Sequence, residues 1–499
     1  MSRLRALWFL VACAAASAQT PHAPAVPVVS RTELADDLDV LQRALRALHP
    51  GLTLHNTEAD LDAIWRQADA EADALGEAYS DAIPVPDAFL AVTETVAALR
   101  DGHTQVSLYN QREATERLLY DRADRVPFTF RLVGDRMVVT GDATADRVLP
   151  RGTEILSLDR RPVRDVLAAL LPTASADGDN DAKRLDELEG ADLLAPALRF
   201  DVAYSLRFRP DGDLALTVRQ PDGAEAALTV PRTTAAARRD TLWARDPALP
   251  RRAADLLRVR VDDDGTAVLT IGTFFTYGLG IDYAEWLVGA FRQIHEAGAE
   301  RLVVDLRDVA GGMTDAAVLL FTHLLTEPVE VTLWANHAAY DRVPDGLRPY
   351  LTSYSDDFLD LSGRVTRAED GIYALPSPPP TWVPPAPDAF TGPTAVLVDA
   401  TASSATFKLA DVIQETGAAL LVGQETGGNL RGINAGQVVF LTLPHSGIVV
   451  DVPLFGSRPP EPGPDRGVVP DVLVPPDADA VIAGRDAELE AAVHALTAR

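Results

Sequence analysis

The chain has 499 residues, 47% of them hydrophobic and 24% charged, an ordinary globular composition with room for about three domains. Forty-five basic residues stand against 73 acidic ones, a net charge of −28; such a surface repels phosphate and argues against nucleic acid and anionic membranes as partners. The only cysteine, Cys13, lies in the leader, which excludes an intramolecular disulfide and a cysteine-based metal cluster.

The first 18 residues carry Arg3 and Arg5, an apolar run, and Ala16-Ser17-Ala18, the pattern of a secretory signal cut before Gln19. Leu10-Val11-Ala12-Cys13 reads equally as a lipoprotein box with a leader of residues 1–12, in which a lipidated Cys13 tethers the mature chain to the membrane. Both readings predict export to the periplasm or beyond, with residues 19–30 as a linker. Residues 31–110 then show leucines and alanines at three- and four-residue spacing, the period of helices. The last of these helices ends at Asp101-Gly102, directly before His103.

From about residue 120 to 235 the pattern changes to strand-like alternation, as in RGTEILSLDRRPV followed by a helical DVLAALL. This resembles a PDZ-type β-rich domain, whose groove would take an extended peptide; an ordinary small β domain fits as well. Tyr204 to Val230 reads as strands joined at Pro-Asp-Gly turns.

From residue 255 onward strands and helices alternate, the signature of a parallel α/β sheet. ERLVVDLR ends a buried strand, and the loop after it holds Gly311 and Gly312, where paired glycines let backbone N–H groups approach a ligand closely. Residues 340–390 interrupt the alternation with a proline-rich LPSPPPTWVPPAPDAF, expected as a semi-rigid connection. The strand TAVLVDA and the helix ATFKLADVIQETG follow, the helix closing at Gly417. Between them TASS presents Ser403 or Ser404 at a strand-to-helix turn, either as a nucleophile or as an N-cap. The chain ends with VGQETGGN, GVVPDV and the helix GRDAELEAAVHAL.

Taken in order, DGHT, VVDLRxxxGG, TASSATF, VGQETGGN and GVVPDV resemble the S41 serine peptidases. The resemblance covers nearly all of the mature chain. It implies a multidomain α/β protein: a Clp protease/crotonase-type α/β catalytic domain, an N-terminal helical domain and the PDZ-like β-rich domain. It further implies an exported peptidase acting on peptides or proteins, with no metal and no organic cofactor. On these motifs the nucleophile is Ser404, with Ser403 as neighbour, and the oxyanion donors are Gly311, Gly312 and the amide of Ala405.

The processing-protease branch of the family carries a general-base lysine where this chain has Asn429, so a Ser/Lys dyad of that kind is ruled out on this match. Lys408, one turn into the Ser404 helix, is directed along the helix rather than at the hydroxyl. The tricorn-like branch uses histidine, and DGHT places it at His103. An acidic residue near GVVPD orients that histidine in this branch; Asp465 is the match and Glu461 the fallback. The sequence departs from the family pattern at Gly102, where a serine precedes the histidine, and at Phe407, where an acidic residue is common. These departures leave a catalytically inactive peptide- or apolar-ligand-binding protein of the same fold as the alternative.

Overall fold

The computed structural model describes residues 26–498, apart from positions 121, 190, 191, 196, 369, 370, 377, 378 and 462. The leader readings, Cys13 included, lie outside the described residues. Three helices open the fold: Arg31–Leu48, Glu58–Ala78 and Val85–Ala97. The first two start with capping boxes, Ser30 with Glu33 and Thr57 with Asp60, which satisfy amides that the first helical turn leaves unpaired. Their leucines do not close a core among themselves. Leu34, Leu41, Leu45 and Leu48 share one cluster with Val439, Val450, Val452 and Leu454 of a distant antiparallel sheet, so the helical layer is built onto the C-terminal half of the chain.

The next unit is an antiparallel sheet in the order Phe128–Val133, Arg136–Asp142, Glu154–Leu158, Leu214–Arg219, Glu225–Val230. The helix Val163–Leu170 covers it. The strand reading of Tyr204–Phe208 needs correction, because these residues end the helix Arg199–Phe208. Phe200, Tyr204 and Phe208 fall four residues apart and their rings meet in sequence at 5.5 and 5.0 Å; that stacking suits a helix face and outweighs their strand propensity. An excursion from this unit carries the short helix Asp181–Glu187 across to the mostly parallel sheet of the C-terminal half. There Asn180 Nδ2 donates to the Thr426 carbonyl at 3.2 Å, and Thr401 Oγ1 donates to Asp186 at 2.7 Å.

That sheet runs Val472–Leu473, Leu420–Gly423, Thr394–Val398, Arg301–Asp305, Thr266–Ile271, Leu257–Val261. All neighbours are parallel except the last pair. The central strand Thr394–Val398 is buried along its whole length, as parallel strands covered on both faces are. The helices Tyr283–Glu296, Thr314–Thr322 and Ser404–Thr416 contribute to the core on one face, and the C-terminal helix Ala487–Thr497 packs on the other. Asp305 pairs with Leu397 and Val398 with Gly423, so the loops carrying Gly311, Ser404 and Asn429 leave from one edge of the sheet, the carboxyl ends where open α/β sheets form their sites.

A second sheet is wholly antiparallel, in the order Leu351–Ser353, Ile433–Thr442, Val449–Arg458, Ala335–Ala338, Tyr373–Ala374, Thr366–Arg367. The region expected as an interruption, residues 340–390, therefore supplies three of its strands. The proline-rich segment also folds locally: Thr381–Val383 pairs antiparallel with Val329–Val331, a two-stranded arrangement in which flanking prolines cost no ladder hydrogen bond. Among the described residues no helix is long and apolar enough to cross a membrane.

Candidate active site

Ser404 is the first residue of the helix Ser404–Thr416 and holds φ at +50°, a conformation that non-glycine residues adopt at a cost and that clusters at functional sites. Its neighbour is used differently. Ser403 Oγ donates to the Ala310 carbonyl at 2.9 Å, tying the serine turn to the glycine loop, and makes no capping bond to the helix. Ser404 Oγ has no hydrogen-bond partner among the described residues. The turn thus separates a structural serine from one whose hydroxyl is available.

The glycine loop is pressed against that hydroxyl. Gly311 and Gly312 adopt φ of +122° and +135°, which favours glycine. A Cβ on Gly311 would fall 2.7 Å from Ser404 Cβ and 3.1 Å from the Ala405 amide, and one on Gly312 would fall 2.3 Å from the Phe274 backbone. The loop is pinned from the far side, where the Phe274 amide donates to the Gly311 carbonyl at 3.2 Å and the Met313 amide to the Phe274 carbonyl at 2.8 Å. Among the described residues the amides of Gly311, Gly312 and Ala405 make no hydrogen bond. Three backbone donors are therefore gathered beside Ser404 with no acceptor of their own.

His103 is held by its backbone rather than by its ring. After Val85–Ala97 the chain turns through Arg100 at φ +59° and brings the buried Asp101 under the loop. The Asp101 carboxylate accepts from the His103 amide at 3.0 Å, the Thr104 amide at 2.8 Å, Thr104 Oγ1 at 2.9 Å and Asn434 Nδ2 at 2.6 Å, and lies 3.5 Å from His49 Nε2. Burial pushes this carboxyl up, but His49, His103 and Asn434 outweigh it and keep it ionised. Gly102 donates its amide to Asp177 at 2.8 Å. The His103 ring keeps a buried Nδ1 with no hydrogen-bond partner. Burial lowers its pKa from 6.5, Asp101 opposes this, and Lys183 and Lys408 add to it, so the imidazole is neutral near pH 7.

A model of peptidase family S41 matches residues 265–474. Those residues are a peptidase family S41 domain. The family makes the chain a serine peptidase, in agreement with the motifs. The whole fold is similar to that of mature CPAF complexed with lactacystin, at 16% identity and a TM-score of 0.61 over 93% of this chain and 97% of that one. A CPAF point mutant gives 16% identity and a TM-score of 0.62 over 91% and 94%. The photosystem II D1 C-terminal processing protease is 16% identical over 93% and 97%, with a TM-score of 0.41. No curated protein matches the sequence.

In the S41 domain Asp465 does not reach His103. It accepts from Asn429 Nδ2 at 2.8 Å and Arg431 at 2.7 Å, and it lies 3.3 Å from Nδ1 of His55. The orienting role expected of Asp465 thus fits His55 better, because Asn429, standing where a lysine was considered, draws the carboxylate to itself. The fallback, Glu461, is exposed. Phe407 is wholly buried against Trp334 and Gly428; a core ring occupies the position where an acidic residue was noted. Lys408 makes its hydrogen bond to Ser457 Oγ at 2.9 Å and none to Ser404, as its helical position implied.

The residues that sequence reasoning passed over are those that carry charge to the site. Lys183 is buried, 3.0 Å from Glu187 and 3.6 Å from Asp186, with its ammonium 3.3 Å from the Thr401 carbonyl. Asp186, Asp308 and Asp399 place carboxylate oxygens within 4.8 Å of one another below the serine and glycine loops. Arg131 pairs with Asp308, Lys183 stands 3.6 Å from Asp186, and the amides of Asp308 and Thr401 donate to Asp399, whose carboxyl is pushed well above its ordinary range by burial and by the charges of Asp308 and Asp186. Asp101 stood in the DGHT motif and Asp308 in the DLRD stretch, the one signal that pointed to them.

Proposed function

We propose that this serine peptidase hydrolyses peptide bonds with Ser404 as nucleophile, His103 as general base and acid, and the amides of Gly311, Gly312 and Ala405 as the oxyanion hole. His103 takes the Ser404 proton as Oγ bonds to the peptide carbonyl carbon, and the unpaired amides receive the negative charge on the oxygen. The C–N bond then breaks, the amine leaves with the proton from His103, and water releases the acyl group by the same steps in reverse. Asp101 fixes the loop from which the imidazole projects. The observation that carries this reading is the left-handed Ser404 with a free hydroxyl beside three unpaired amides.

The test is turnover of a quenched fluorescent peptide by the purified mature chain. Ser404→Ala and His103→Ala should each lower kcat/KM by orders of magnitude with the fold intact. Full activity in Ser404→Ala would defeat the mechanism, and tight peptide binding without turnover by the wild type would favour the binding-protein alternative. We infer further that the chain is exported, from the leader pattern; mass spectrometry of the mature N-terminus distinguishes cleavage before Gln19 from lipidation at Cys13, and an uncleaved Met1 in the native host would contradict export.

A further inference from the structure

Only two lysines occur in the chain, Lys183 and Lys408, and the fold treats them differently. Lys183 is matched by two carboxylates, Glu187 and Asp186. Lys408 makes no ion pair among the described residues. Its ammonium donates to Ser457 Oγ, whose own proton goes to Asn336 Oδ1, and it stands 5.8 Å over the Trp334 ring. Asp411, one turn further on, forms no ion pair with it among the described residues, and its charge only partly offsets the burial of the ammonium. A cation largely removed from water without a counter-ion is costly. In a protein of charge −28, where acidic groups are plentiful, its isolation is informative.

The position of Lys408 says where a counter-ion would come from. Ser457, its partner, pairs across the antiparallel sheet with Ile433, and the next residue, Asn434, donates to Asp101 beneath the loop that carries His103. The charge of Lys408 also bears on the His103 imidazole. The ammonium therefore borders the catalytic centre. We propose that Lys408 binds the carboxylate of an aspartate or glutamate side chain of the peptide substrate close to the scissile bond. The inference rests on the catalytic reading above for its location. An otherwise acidic surface repels such groups, so the lysine makes one position acceptable to them and selects the register in which the peptide lies.

The experiment uses matched quenched peptides: Asp against Asn and Glu against Gln at each position flanking the cleaved bond, and free acid against amide at the C-terminus. The wild type should prefer a carboxylate at one position by about tenfold or more in kcat/KM. Lys408→Met should abolish that preference, and Lys408→Arg should keep part of it. A preference carried by the Asp or Glu pairs supports the proposal, and one confined to the free acid overturns it. The ammonium's pKa is lowered to about 8, chiefly by burial, so the preference should fade as the pH rises above that value. Binding of the same pairs to Ser404→Ala reads the preference without turnover, so an error in the nucleophile assignment leaves this test standing. No carboxylate preference in the wild type, or one that survives in a folded Lys408→Met, overturns the proposal.

Discussion

Gly311 stands so close to Ser404 that a side-chain carbon on the glycine would fall 2.7 Å from the serine's Cβ. The contact joins the loop that offers amides to the residue that offers the hydroxyl. Gly311→Ala must move one of them, and it also places a side chain at φ +122°. Loss of a single oxyanion donor costs about 100- to 1,000-fold in kcat; the variant should lose at least that in peptide turnover while its circular dichroism is retained. An active Gly311→Ala would mean that the loop is not the oxyanion hole.

The pH profile reports on the histidine. Burial holds the His103 pKa below 6.5, and the base must be neutral to accept a proton. kcat/KM should therefore fall on the acid side with a midpoint below 6.5 and be level through neutrality. Because Asp465 contacts His55, Asn429 and Arg431, Asp465→Ala should leave that midpoint in place. A large shift in Asp465→Ala would restore the orienting role first read for it.

Asp101 supports the histidine from beneath. Its carboxylate gathers two amides, a hydroxyl, a side-chain amide and His49 in a buried place; Asp101→Ala leaves the two amides and the Asn434 amide without this acceptor, while His49 and the Thr104 hydroxyl keep each other at 2.8 Å. The cost in urea unfolding should be about 3 kcal/mol or more. Turnover should drop further than the lost stability explains, because the loop that carries His103 is released. A stable, fully active Asp101→Ala would remove the residue from the account.

The serine turn was legible because a buried strand, small polar residues and a helix with a glycine stop follow each other within one short stretch. The glycine loop was legible for a similar local reason. His103 was not: nothing in helical periodicity marks it, and only the DGHT motif linked it to a serine 301 positions away. Lys183 and Asp186 were invisible, since they reach the sheet on an excursion from the β-rich unit, and no local pattern announces where an excursion docks. Asp465 was misplaced because a motif gives order along the chain, whereas Asn429 and Arg431 decide where the carboxylate points. Tyr204–Phe208 was misread because aromatic residues suit strands unless their spacing lets them stack on a helix.

Stability should carry its own pH signature. Asp451 is buried, one of its carboxylate oxygens has no partner, and burial, partly offset by Asn110, pushes its pKa up to about 7. The folded state therefore holds a proton that the unfolded chain has released above its ordinary 3.8. Stability from this group is full below that value and declines as the pH rises to about 7. Asp451→Asn should remove the decline and stabilise the protein at pH 8 by on the order of 3 kcal/mol, with little gain at pH 4. An equal gain at both values would show that the carboxyl is not protonated in the fold.

The most direct measurement is covalent labelling of the purified mature chain with a fluorophosphonate at neutral pH, read by mass spectrometry of the digest. The probe reacts with an activated serine next to an oxyanion hole, and the free hydroxyl of Ser404 is the one so placed. The label should appear on Ser404, vanish in Ser404→Ala, persist in Ser403→Ala and slow by about 100-fold or more in His103→Ala. A label on Ser403, or none on a folded wild type that cleaves peptides, would contradict the account.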